Sequence, residues 1–89
     1  MLDPCLVQRP IQAAFTSVQQ RSIEDRFGSR LRLLRLEAGY TQVQLATHLG
    51  INRSFISDVE RGAKSVSLSY LETFAQGFSL SVGQLLESV

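Results

Sequence analysis

The sequence predicts an all-α domain of five helices, and three observations carry that expectation. Helix-capping residues recur along the chain at Ser22, Thr41, Asn52, Ser67 and Ser81, each followed by apolar positions at helical spacing. Glycines stand where three of those runs end, at Gly39, Gly50 and Gly62. No stretch alternates apolar and polar residues over a useful length, so no sheet is expected. Eighty-nine residues, 44% hydrophobic and 19% charged, suit one small folded domain rather than a disordered chain.

Residues 1–9 show no periodicity. After Pro10, the residues Ile11, Ala14, Phe15 and Val18 fall at i, i+3, i+4 and i+7, the pattern of a short amphipathic helix over 11–20. Ten residues are marginal as an isolated helix, so this one needs a surface to pack on. Residues 1–21 are therefore read as an N-terminal extension and 22–89 as the main domain. Ser22 caps a helix that runs to Ala38, with Asp25 in its first turn. Phe27, Leu31, Leu34 and Ala38 share its inner face, and Leu33 and Leu36 widen the apolar arc.

Thr41 and Gln44 form a Thr-x-x-Gln capping box for a helix that stops at Gly50. Asn52 caps the next, which ends at Gly62. Beyond a loop at 63–66, Ser67 caps a helix with Leu68, Leu71, Phe74, Ala75 and Phe78 on its buried face. Ser81 and Gln84 box the last, whose apolar stripe is Val82, Leu85, Leu86 and Val89. Two short capped helices joined as closely as those in 41–62 must cross steeply. That is a helix-turn-helix, whose second helix lies in the DNA major groove.

Charge is distributed to match. Residues 26–64 hold Arg26, Arg30, Arg32, Arg35, Arg53, Arg61 and Lys64 against Glu37, Asp58 and Glu60, although the whole chain is only +1. Positive charge around the helix-turn-helix is what phosphate attraction needs, though a solvated helical surface explains it as well. No apolar run approaches the ~20 residues that span a bilayer. The N-terminus lacks the basic start and long apolar core of a signal peptide. The one cysteine, Cys5, cannot pair internally and fits a reducing cytoplasm. His48 has no second histidine or cysteine cluster beside it, so no metal, cofactor or catalytic constellation is expected.

The stretch from Phe27 to Leu86 resembles the Cro-like and lambda-repressor-like, Xre-type helix-turn-helix family. The resemblance rests on Gly39-Tyr40-Thr41-Gln42, Leu45-Ala46, Leu49-Gly50-Ile51, Ile56-Ser57, Glu60-Arg61-Gly62 and Ser67-Leu68 with Leu71 and Ala75. Val66, Gly77 and Ser79 depart from the pattern, where proline, alanine and glycine are common. The resemblance implies a five-helix DNA-binding domain, a homodimer and a palindromic, inverted-repeat operator on double-stranded DNA. It also implies that Gln42 grips the DNA backbone and braces the recognition helix, with a merely solvated first-turn residue as the alternative; Thr41, which caps the helix Gln42 opens, is a further DNA-contact candidate. Arg35 and Glu60 match a family pair bridging the first and third helices, a structural bond that fixes the tilt of the recognition helix.

In that helix Ile56 and Val59 face inward, leaving Asn52, Arg53, Ser54, Ser57, Asp58 and Arg61 outward. Arg53 is the leading candidate for bidentate bonding to guanine, with a phosphate contact as its alternative. Ser54 and Ser57 suit base or phosphate. Phe55 either touches a thymine methyl or folds back on the domain. Asp58 either accepts from cytosine N4 or orients Arg61, and the second is favoured. Arg61 and Lys64 are assigned to phosphate. Val82, Leu85, Leu86 and Val89 are the first candidate for a dimer interface, with the Ile11/Phe15/Val18 face second and plain core closure the alternative. The expected function is sequence-specific transcriptional regulation, as a repressor resembling phage repressors and restriction-modification controllers. The alternatives are an antitoxin with a toxin partner, or a protein-interaction adapter.

Overall fold

Every expected cap closes its helix. Ser22 Oγ accepts from Asp25 N–H at 3.0 Å, Thr41 Oγ1 from Gln44 at 3.0 Å and Asn52 Oδ1 from Ser54 at 2.7 Å. Ser67 and Ser81 hold Tyr70 and Gln84 in the same way, at 3.2 and 3.1 Å. The helices so started are α1 (Ile23–Glu37), α2 (Gln42–Leu49), α3 (Arg53–Glu60), α4 (Leu68–Gly77) and α5 (Val82–Leu85). This computed structural model describes residues 21–89, and no strand occurs among them. The architecture is thus the expected all-α, five-helix one. The helix expected over 11–20 lies outside the described residues. None of the described helices is long and apolar enough to cross a membrane.

All five helices feed one core: Phe27 and Leu31, Leu45 and Ala46, Ile56 and Val59, Phe74 and Ala75, and Leu85. Burial of these side chains supplies the main driving force, at roughly 1.5–3 kcal/mol for each large one. Two glycines set how closely the helices approach. Gly28 of α1 faces the backbone carbonyls of Val59 and Glu60, where any Cβ would collide with main chain that cannot move aside. Gly77, near the end of α4, lies against Leu49 of α2.

Several expected positions turn out otherwise. Ala38 is the exposed C-cap of α1, not part of its inner face, and Leu34 is only half-buried. The buried place one turn after Leu31 belongs to Arg35, 7% exposed, because a charged partner waits there. Leu68 is 83% exposed. The first turn of α4 stands clear of the core, and α4 joins it only from Leu71 onward. The last helix is four residues, too short to carry a stripe to Val89. The carbonyls of Gln84 and Leu85 are taken by Arg30, at 2.8 and 3.1 Å, and Ser88 turns into the left-handed region at φ 66°. His48 stacks on Tyr40 and meets Gly77 O with Nε2 at 3.1 Å, which ties α2 to α4.

Candidate nucleic-acid interface

The turn between α2 and α3 follows from one backbone requirement. Gly50 sits at φ 70°, a conformation costly for any residue with a Cβ, and Ile51 N–H then reaches back to Ala46 O at 3.0 Å. Asn52 restarts the chain as α3 within two residues. α3 buries Ile56 and Val59 completely on one side. On the other side, at its N-terminal end, Arg53 and Ser54 are exposed, while Ser57 and Asp58 are half-buried. Asn52 is exposed; its side-chain oxygen accepts from Ser54 N–H, which leaves its NH2 group as a free donor among the described residues.

The opposite end of α3 is fastened by a buried network. Arg35 Nε and Nη2 donate to the two oxygens of Glu60 at 2.6 and 3.1 Å, and Arg35 Nη1 donates to Tyr40 O at 2.9 Å. Gln42 Nε2 donates to Glu60 Oε1 at 3.1 Å, so the first residue of α2 is tied to the last of α3. Side-chain exposure of Glu60 is 4%, which makes these bonds directional and weakly screened. They fix the angle at which α3 leaves the body of the domain.

Asp58 bonds Arg61 and stands 3.6 Å from the Lys64 amine. It gathers two exposed cations at the end of α3, which is the favoured role for it. The loop carrying Lys64 is anchored next door, where Ser65 Oγ donates to Glu24 Oε2 at 3.0 Å. Thr41 is exposed, with its hydroxyl oxygen engaged by Gln44 N–H and its own N–H by Gln44 Oε1.

Two candidates turn inward. Phe55 is half-buried and folds back: its ring lies 4.5 Å from that of Tyr70 on α4, tilted by 32°, with the Lys64 amine 6.0 Å from its centroid. This is the folded-back placement of its two expected ones, in which an aromatic neighbour offers it more burial than solvent does. Leu85 is 0% exposed inside a single chain and so leaves the dimer set. Leu86 and Val89 are half-buried; with Ile23, Phe27, Val66 and Leu71 they line an apolar groove of about 210 Å³. Val82 is exposed. Periodicity and charge give no sign that Tyr70 or Gly28 shapes this region, and they mark Arg30 only as one of the surrounding cations. An isolated glycine inside a strong helical pattern was the one signal that could have singled out Gly28.

A family model for the helix-turn-helix domain matches residues 26–88. The chain belongs to the helix-turn-helix domain family. Within that family, the immunity repressor protein of Bacillus phage phi105 is 37% identical over 59 residues, which cover 66% of this chain and 41% of the repressor. Against that relative, then, this helix-turn-helix chain spans well under half the length. The restriction-modification controller protein C.AhdI from Aeromonas hydrophila has the same fold, with a TM-score of 0.69 and 35% identity over 73% of this chain and 98% of that one. The controller protein C.Esp1396I, solved as a tetramer in complex with its natural 35 base-pair operator, gives a TM-score of 0.66 at 26% identity, over 74% of this chain and 91% of that one.

Proposed function

We propose that this helix-turn-helix protein is a sequence-specific DNA-binding transcriptional regulator, a repressor that reads an inverted-repeat operator as a homodimer. The observation that carries the reading is the two-sided nature of α3. Its inner side is locked into the core and to Arg35, while Arg53 and Ser54 stand exposed at the end of a recognition helix that enters the groove. Arg53 reads a base, with Ser54, Ser57 and the Asn52 amide beside it. Gln42, Thr41, Arg61 and Lys64 lie against phosphate. The relatives are named as repressors and controller proteins, which supports this reading and gives the toxin-binding alternative none. The unit that carries the function is residues 22–89, with 1–21 as an extension.

A single recognition helix reads few base pairs, so two copies related by a twofold axis are needed to place a second helix about 34 Å away. The exposed Val82 and the outer edges of Leu86 and Val89 form the pairing surface in this proposal. The test is a gel shift of duplex DNA against salt. Binding should weaken steeply, by a slope of about −0.9 in log K against log salt for each phosphate contacted. Failure to shift any duplex at low ionic strength would exclude the reading.

A further inference from the structure

We infer that Tyr70 is a positioning residue for base recognition, holding the leading end of α3 through its stack on Phe55. The inference rests on the DNA-reading proposal above and deepens it. α3 is eight residues long, and its polar fastening to Arg35 and Gln42 is at Glu60, the last of them. Arg53 is the first. At 1.5 Å per residue the reader stands about 10 Å along the rod from that fastening, so a tilt of about 10° displaces it by nearly 2 Å. Bidentate readout tolerates only about 0.5 Å.

Ile56 and Val59 set how deep the rod sits in the core, but apolar contacts are weakly directional. Ile51 ties the incoming turn to α2 and the core, and within α3 itself the fixation nearest the reader is aromatic. Phe55 is two residues from Arg53 and packs ring to ring on Tyr70, in the first turn of α4. Tyr70 is 38% exposed and lies outside the core, so fold closure does not account for it. The same ring of Phe55 carries the Lys64 amine over it, and that amine also faces Asp58. The aromatic pair thus holds the end of the helix that reads bases, while Lys64 keeps Asp58 as its charged partner whether or not the rings are present. Because Tyr70 acts through Phe55, its role is on specificity more than on attachment.

The experiment compares the full chain with Tyr70→Ala, Tyr70→Phe and Phe55→Leu. Each is titrated with a duplex selected from a random pool and with a scrambled duplex of equal length, and melting is followed in parallel. Tyr70→Ala and Phe55→Leu should each lower the ratio of specific to non-specific affinity by about three- to tenfold. Non-specific affinity and salt slope should stay within about twofold of the unsubstituted chain. Tyr70→Phe, which keeps the ring, should retain the ratio. An unchanged ratio in Tyr70→Ala, with any change confined to melting, overturns the inference alone. Equal losses in Tyr70→Phe and Tyr70→Ala also overturn it, by placing the effect in the hydroxyl. If the unsubstituted chain shows no preference between the duplexes, the DNA-reading proposal falls and takes this inference with it.

Discussion

Arg35 meets Glu60 through two side-by-side bonds, at 2.6 and 3.1 Å, in a site where both side chains are almost wholly buried. This one contact joins α1 to α3, and Gln42 brings α2 to the same carboxylate. A buried ion pair adds little net stability against an apolar replacement, but removing one partner strands the other. Arg35→Met should therefore cost about 3–5 kcal/mol, while Arg35→Met combined with Glu60→Leu should recover most of that loss. Urea unfolding of the three proteins measures it. A single variant as stable as the unsubstituted chain would remove the pair from its assigned role.

The end of α4 offers two substitutions of opposite sign. Ser79 is held at φ 59°, where a side chain costs roughly 1–2 kcal/mol. Ser79→Gly should raise stability by up to about 1 kcal/mol, since glycine also gains freedom in the unfolded chain. Gly77→Ala should do the reverse, despite the better helix propensity of alanine, because its methyl group meets Leu49. Thermal melting decides both signs.

Helix starts were legible in the sequence because capping is a local matter: Ser22, Thr41, Asn52, Ser67 and Ser81 each bond an N–H two or three residues away. The turn at Gly50 was legible for the same reason. What escaped depends on partners far along the chain. Arg30 binds the last carbonyls of α5, 54 and 55 residues on. Phe55 turns inward because Tyr70 happens to lie beside it. Leu68 has the spacing of a buried residue but, among the described residues, is 83% exposed, and Leu85 shares a pattern with Leu86 yet lies wholly inside. Periodicity identifies a face of a helix without saying how far the neighbouring elements extend along it.

Acid should loosen the contact between α1 and the loop after α3. The carboxylate of Glu24 is held below its ordinary range, first by its backbone N–H and then by the Ser65 hydroxyl. A lowered folded value means that its stabilisation is present above the unfolded value and is lost as pH falls through the folded one. Glu24→Gln should flatten that part of the acid side of the stability curve by lowering stability slightly at neutral pH, where the bonded carboxylate contributes, and should leave the acid end nearly unaffected. Urea midpoints measured from neutral pH down through the carboxylate range give the comparison. The effect is modest, since Glu24 is in contact with solvent.

Phosphate and base contacts should separate in their salt dependence. Removing Lys64 or Arg61 takes away a cation assigned to phosphate. The salt slope should then become shallower by about 0.9 per residue, with affinity falling alike on all duplexes. Titrations of Lys64→Ala and Arg61→Ala at several salt concentrations supply both quantities.

The most direct measurement is selection of bound duplexes from a random pool, run in parallel with the unsubstituted chain and with Arg53→Ala. The expected result is an inverted repeat with half-sites about one helical turn apart. Arg53→Ala should lose discrimination at one guanine in each half-site, worth about 1–3 kcal/mol. Recovery of no common sequence, or of the same sequence with undiminished preference from Arg53→Ala, would contradict the reading of α3 as the helix that selects the operator.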